Sequence, residues 1–433
     1  MTIIIGAGIS GLTLAYFLQQ KNIPYLLLEK STEVGGYLQT KKIENYQLDL
    51  GANTILVDEF LMDFLKEINL ENEIIEAKEV SKNRYILKKG KYRALPSKPQ
   101  HLLWNTFFSW KTKWKIYQEL KKKPQNIENE TLSHFFERRF SKEIVDYALT
   151  PFVRGIYAGN PDNLLIDKTF PILKKYEQEY GSVIRGFIKN KSTERKKTIS
   201  FKNGMDTLPK AIGQKLNHLT LNCEVKNIQK SENKENQYIV QTSKGDFQAN
   251  KIVFALPSFI TAELLCNISP DAKVLSTIQY APMKVVYSVY DKQAVKHQLN
   301  GFGGLNPAVE NTFSLGSIWS SAIFENRCEE NQVLFTTFVG GSANPEKTTI
   351  DDAIIQEKIH QELSKYYQIT QKPIFSYVAF WKYALPQYDK NCIEPHQWIE
   401  NQQKHNLFVC ANWYGGVALG DCIKKAKNLS ETL

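Results

Sequence analysis

The chain reads as an α/β protein, and three observations point there. Thr2-Ile3-Ile4-Ile5 is an apolar run ending at Gly6, as expected of a buried parallel strand. Gly6-Ala7-Gly8-Ile9-Ser10-Gly11 follows at once and opens a stretch, 12–20, with apolar residues at helical spacing. Further on, residues 251–254 and 285–290 are rich in the β-branched and aromatic residues of strands. With 433 residues, 42% hydrophobic and 23% charged, the chain is long enough for more than one domain and is not a disordered polymer.

Each part of the first fifty residues has a mechanical reason. Gly6 permits a tight turn, Gly8 lets backbone approach a pyrophosphate, and Gly11 lets helix pack on strand. The helix N-terminus offers free amides and a partial positive charge to phosphates. Tyr25 to Leu28 supplies a second strand, and Glu29 at its end can accept both hydroxyls of a ribose. The glycine pattern alone is weak evidence. In this strand–turn–helix–strand setting, with its carboxylate, it predicts a bound dinucleotide. Glu29 rather than Arg disfavours a 2′-phosphate, so FAD or NAD is expected over NADP.

Composition narrows the partners less. Fifty-five Lys and Arg against 45 Asp and Glu give a net charge of +10, which favours acidic partners: nucleic acid, anionic lipid or a polycarboxylate substrate. No RNA-binding or helix–turn–helix pattern accompanies the charge, so nucleic acid is not expected. No apolar stretch is long enough to span a bilayer, and no secretory signal opens the chain, so a cytoplasmic location is expected. The six cysteines form no CxxC pair and the seven histidines no metal-binding spacing, so neither disulfides nor a metal site are expected.

After Glu29 come Gly35-Gly36-Tyr37 and then Leu48-Asp49-Leu50-Gly51-Ala52-Asn53. A second glycine pair followed by a D-x-G-A turn resembles the glutathione-reductase-like FAD enzymes of the flavin amine oxidase superfamily. Tyr37 departs from that superfamily's commonest form, which carries Arg. Later segments narrow the resemblance. They are Arg84-Tyr85 with Leu95-Pro96, which reads as a hairpin, the turn-rich segment Arg154-Gly155-Ile156-Tyr157-Ala158-Gly159-Asn160-Pro161 after a helix, and a second glycine turn, Gly301-Phe302-Gly303-Gly304-Leu305-Asn306-Pro307. Trp381 and Asn412-Trp413-Tyr414-Gly415-Gly416-Val417-Ala418-Leu419-Gly420-Asp421-Cys422 complete the set. In this order, over nearly the whole chain, they resemble the oxygen-dependent protoporphyrinogen oxidases and coproporphyrinogen III oxidases.

The resemblance implies an FAD-binding Rossmann-like domain of glutathione-reductase type from 1–75, 200–260 and 388–433. A mixed-sheet substrate domain would come from 76–97 and 261–387, and a helical, membrane-associated insertion from 98–199. It implies FAD contacts at Gly6, Ala7, Gly8, Ile9, Ser10, Gly11, Glu29, Gly36 and Tyr37. Leu50, Gly51, Ala52 and Asn53 would lie near the isoalloxazine, and Val225 would meet the adenine through its backbone. Trp381, Asn412, Val417, Ala418 and Leu419 would close the far side. Arg84 would face a substrate propionate, Gly159 the pyrrole N–H groups, and Phe302 and Leu305 the macrocycle. The implied reaction, in heme biosynthesis, converts a porphyrinogen into a porphyrin in three two-electron steps, with dioxygen reduced to hydrogen peroxide. No catalytic acid, base or nucleophile is called for, because the cofactor carries the chemistry.

The residues alone give Arg84 and the apolar pair plainer uses, as a surface arginine and ordinary core. They also leave open an oxidase acting on amines or polyenes, or a protein that holds FAD without turnover. One further segment stands out. Leu103, Phe107, Trp110, Trp114 and Tyr117 follow helical spacing among Lys98, Lys111, Lys113, Lys115 and Lys121 to Lys123. Such a helix either docks its stripe into the core or lies on an anionic membrane surface. The family resemblance implies the second, on the inner face of the cytoplasmic membrane.

Overall fold

The computed structural model describes residues 1–96, 105–190, 196–232 and 237–433. Lys98, Leu103 and parts of the charged stretches 189–197 and 230–235 lie outside them.

A five-stranded parallel sheet runs in the order Leu219–Thr220, Tyr25–Leu28, Thr2–Ile5, Lys251–Phe254, Leu407–Val409. Successive side chains of a strand point to opposite faces, and here both faces are buried. Ile4, Leu27 and Val253 pack with Leu12, Leu14, Ala15 and Leu18 of the helix Ile9–Gln20. Ile3, Ile5, Leu28, Ile252 and Phe254 pack on the other side with Ile228, Val240 and Ala249. Those three belong to an antiparallel meander of Val225–Lys230, Tyr238–Thr242 and Gly245–Ala249. The continuous apolar runs in the sequence thus follow from a sheet covered by helix on one face and by meander on the other.

A seven-stranded sheet stands beside this unit, in the order Phe375–Pro386, Tyr280–Asp291, Gln332–Gly340, Gly316–Trp319, Gly303–Leu305, Tyr85–Lys88, Lys91–Ala94. Val286 and Tyr290 of its long strand face the helix Asp352–Tyr367, through Ile355, Ile359 and Leu363. Val285, Tyr287 and Val289 face the strand Tyr46–Asp49. The hydroxyl of Tyr287 donates to the Asp49 carbonyl at 2.7 Å.

Three local expectations change. The segment around Arg154 is helix over Thr150–Tyr157, with Pro151 in its first turn, and the chain turns only at Ala158. The Gly301–Pro307 segment is not only a turn, because Gly303–Leu305 pairs as a strand. The aromatic stripe is not one helix either. The helix is Trp110–Glu119, and Phe107 is buried ahead of it with Phe108 and Ile86.

That helix is inside out. Trp110, Trp114 and Tyr117 are 77%, 60% and 52% exposed, while Thr112 and Glu119 are buried. Glu119 turns inward because it accepts from the Val183 amide at 2.9 Å, at the start of the helix Val183–Lys189, and from Arg139 Nε at 2.9 Å. Arg139 in turn meets Glu177, which together with Glu130 also holds Arg138. Taking one charge out of such a buried set leaves its partner uncompensated, so these carboxylates fix how the helices pack.

Lys88 ties the hairpin 85–94 to the helical region, its Nζ lying 2.8 Å from Glu143 with side chains 8% and 22% exposed. Burial disfavours the Glu143 charge, but hydrogen bonds from Lys88, Thr112 and Ser109 outweigh it and pull the carboxyl down to about 2. A depressed carboxyl contributes stability that is complete above its unfolded value near 4.5 and is lost as pH falls towards 2. Discounted for solvent screening, the contribution is on the order of 1 kcal/mol. Thermal melts of the wild type and Glu143→Gln should differ by that order at pH 6 and converge near pH 2.

Candidate functional site

The glycine loop is closed by backbone. Gly6 has φ +103°, and a Cβ there would lie 2.8 Å from the Ala255 carbonyl oxygen. A Cβ on Gly11 would lie 2.0 Å from the carbonyl oxygen of Gly6, so the helix can approach the strand this closely only as glycine. At Gly8 a Cβ would meet nothing within 4 Å, so the loop opens outward there. Gly8 is also the N-cap of Ile9–Gln20, with no side-chain cap and no acidic residue in the first turn. The first-turn amides are therefore left for an anionic ligand.

Glu29 stands beside this loop. Its Oε2 accepts the Ala7 amide at 2.7 Å and its Oε1 the Ser31 amide at 2.9 Å. The Glu29 carbonyl accepts from the Cys223 amide at 2.8 Å, which brings Val225, the first residue of its strand, to the same edge. The second glycine pair lies against the first: Gly35 bridges to Gly8, and a Cβ on Gly36 would be 3.3 Å from the Gly8 Cα.

The turn after Asp49 closes on that pair. A Cβ on Gly51 would be 2.1 Å from the Tyr37 carbonyl oxygen, and the Leu50 amide donates to Gln39 at 2.8 Å. Trp381 Nε1 donates to the Leu50 carbonyl at 2.8 Å, and its ring centroid lies 5.0 Å from that of Tyr37. Asn53 Nδ2 donates to the Gly51 carbonyl at 3.1 Å. The Asn412 carbonyl accepts from the Tyr388 hydroxyl at 2.7 Å, and that hydroxyl accepts from the Gly416 amide at 2.9 Å. This holds the loop leading through Val417 to Ala418, the N-cap of the final helix Leu419–Leu429. Ala52 and Leu419 pack against one core.

His396 and Trp413 lie in the same region. Burial pushes the His396 imidazole down to about 4, and its Nε2 contacts the Trp413 carbonyl at 2.7 Å. It is a neutral packing residue near neutral pH. Among the described residues no group of His, Cys, Asp or Glu could hold a metal ion.

On the other side, Gly304 pairs with Tyr85 in parallel register, and the Phe302 amide donates to Asn83 at 3.0 Å. The Arg84 guanidinium carbon therefore sits 3.8 Å from the Phe302 ring centroid. Arg84 is exposed and has no ion-pair partner among the described residues. Leu305 is half-buried, and the residue across from it is Gly155, where a Cβ would lie 3.3 Å from Leu305 Cδ2. At Gly159 a Cβ would meet Leu164 at 2.7 Å and Gln387 at 2.9 Å. Gly155 lies within the helix Thr150–Tyr157 and not in a turn. Pro151, a common first-turn residue, was the available signal for helix.

The loop, the uncapped helix end and the carboxylate suit a dinucleotide with a diphosphate and a ribose diol. The turn 50–53 with Trp381 suits the planar ring of a flavin.

A family model described as flavin containing amine oxidoreductase matches residues 9–433. The chain is 30% identical to protoporphyrinogen oxidase 2, chloroplastic/mitochondrial, of Arabidopsis thaliana, over 97% of this chain and 91% of that protein. It is 25% identical to coproporphyrinogen III oxidase of Staphylococcus aureus, over 99% of this chain and 97% of that one. A solved structure from Exiguobacterium sp. 255-15 is similar with TM-score 0.82 and 20% identity, covering 100% of this chain and 98% of the other, which shows the shared fold.

Proposed function

The chain belongs to the flavin containing amine oxidoreductases, and on that premise we propose that it oxidises a porphyrinogen to the porphyrin. It is an FAD-dependent oxidase. When bound, FAD supplies the electron acceptor for each of three two-electron dehydrogenations and the route to dioxygen, with hydrogen peroxide as by-product. The substrate is protoporphyrinogen IX or coproporphyrinogen III, the compounds named in the relatives.

The chain's own part is binding, orientation and exclusion of water. Gly6 to Gly11 and the helix end receive the diphosphate, Glu29 the ribose and the Val225 backbone the adenine. Gly36 and Tyr37 lie along the chain between the phosphates and the flavin. Leu50, Gly51, Ala52, Asn53 and Trp381 border the isoalloxazine, and Asn412, Val417, Ala418 and Leu419 close it from the final helix. Phe302 and Leu305 form the apolar wall for the macrocycle, with Gly155 opposite Leu305 leaving room that a side chain would fill.

Arg84 is the observation that carries the substrate reading. Its guanidinium lies on the Phe302 ring and has no carboxylate partner among the described residues. A bidentate fork of this kind matches a propionate at the rim of an apolar ring. With purified protein and FAD in air, either porphyrinogen should give porphyrin fluorescence faster than autoxidation, and fluorescence at the autoxidation rate contradicts the enzyme reading. Arg84→Ala should raise KM by about tenfold while changing kcat far less, and an unchanged KM contradicts the propionate role.

We also infer that the helix Trp110–Glu119 rests on an anionic membrane surface. No helix among the described residues is long and apolar enough to cross a membrane. The outward face of this one nonetheless carries Trp110, Trp114 and Tyr117, with Lys111, Lys115, Lys121 and Lys123 exposed around them. Each basic residue near anionic lipid adds about 1 kcal/mol. The protein should sediment with phosphatidylglycerol vesicles and be released by salt or by Trp110→Ser with Trp114→Ser. Equal recovery with and without vesicles contradicts this.

A further inference from the structure

Arg327 and Asp49 form a buried pair that no part of the proposed chemistry uses, across the contact between the seven-stranded sheet and the strand Tyr46–Asp49. Arg327 lies in the loop between the short helix Ser320–Ile323 and the strand Gln332–Gly340 of the seven-stranded sheet, and is 3% exposed. Asp49 ends the strand Tyr46–Asp49, is also 3% exposed, and stands immediately before the turn 50–53. One Arg327 nitrogen lies 3.5 Å from Asp49 Oδ2 and donates to Ser200 Oγ at 2.7 Å. The other Asp49 oxygen accepts from the Met205 amide at 2.8 Å and from Thr40 Oγ1 at 2.7 Å. Gln47 joins the set with its amide turned to donate to the Lys202 carbonyl at 3.2 Å, so that its oxygen accepts from Arg327. Beside the pair is a cavity of about 10 Å3 whose polar lining is Gln47, Asp49, Asn53, Ser320, Arg327 and Thr336, room for about one water.

We infer that Arg327 is a positioning residue: acting through Asp49, it fixes the turn 50–53 and so sets how the flavin is held. This rests on the reading that FAD occupies the site bordered by that turn. Apolar side chains would fill this space with no charge to desolvate, so two buried charges are poorly explained as stabilisers. What the pair adds is orientation. The Asp49 carboxylate accepts from Thr40 and Met205 and is ion-paired with Arg327 at 3.5 Å, three separate segments, while its carbonyl accepts from the Tyr287 hydroxyl. The peptide that opens the turn is thereby clamped between its own hairpin, the segment at Met205 and the seven-stranded sheet. Burial pushes the Asp49 carboxyl up and the Arg327 charge opposes it, as expected if Arg327 keeps the carboxylate ionised. Neither side chain needs to touch the flavin. Asn53, in the turn itself, lines the same cavity as both.

The test compares wild-type holoprotein with Arg327→Gln, Arg327→Lys, Asp49→Asn and the double variant Arg327→Gln/Asp49→Asn. FAD dissociation constant, visible flavin spectrum, reduction potential and melting temperature are measured on each. Arg327→Gln should weaken FAD binding by roughly 3- to 30-fold and shift the flavin band and potential. Arg327→Lys should fall between it and the wild type. The double variant, with no charge left unpaired, should lie nearer the wild type than Arg327→Gln does. If Arg327→Gln melts lower but keeps the wild-type FAD affinity, spectrum and potential, Arg327 only braces the fold and the inference is overturned. A double variant no better than Arg327→Gln overturns the charge-pair account. A wild-type protein that binds no FAD overturns the reading beneath it, which the variants leave untouched.

Discussion

Backbone must meet backbone without intervening side chains at two places, and the rest of the molecule is arranged round that requirement. At Gly11 the helix Ile9–Gln20 approaches the Gly6 carbonyl so closely that a single Cβ would collide. At Gly51 the turn after Asp49 approaches the Tyr37 carbonyl in the same way. The first contact presents amides and a helix end to a diphosphate, and the second brings the turn 50–53 up to the same strip of chain. Between them Gly36 passes over Gly8, so the two contacts form one continuous cradle. Such a cradle suits a long ligand with a diphosphate along its length and a flat ring at one end.

The two sheets give this cradle its second side. The parallel sheet is covered on both faces, so its strands have no choice of register or depth. The long strand Tyr280–Asp291 offers one face to a helix and the other to the strand that leads into the turn, with Tyr287 hydrogen-bonded to Asp49 across the join. The same sheet, at its far edge, carries Phe302, Leu305 and Arg84. A ring lying between the cradle and that edge would meet apolar walls and, at the rim, one cation. On the proposed function, one framework sets the position of both cofactor and substrate.

How much of this could be read from the sequence follows from the range of the interactions. The strand–turn–helix unit is specified by residues within thirty positions of one another, and Glu29 stands where the spacing puts it. The FAD-dependent family was also legible, because its motifs are strings of adjacent residues. The helix Thr150–Tyr157 is less legible, because the density of Gly, Asn and Pro after Tyr157 suggests a turn, while the helix begins at Pro151 and packs against Leu305. The aromatic spacing over 110–117 gave the right face but not its direction. Direction is decided by Glu119, whose partners Arg139 and Val183 lie far along the chain. In the sequence Asp49 is one letter of a turn motif and nothing local marks Arg327; only the fold puts them together. Contacts distant in sequence carry the choices that local pattern leaves open.

Admitting a porphyrinogen to the holoprotein without oxygen tests the central claim most directly, since the cradle and the rim cation matter only if the two molecules exchange electrons. The account predicts that the yellow absorbance of the oxidised flavin disappears in step with oxidation of the porphyrinogen and returns when air is let in. A flavin that stays yellow in the presence of excess porphyrinogen would contradict it.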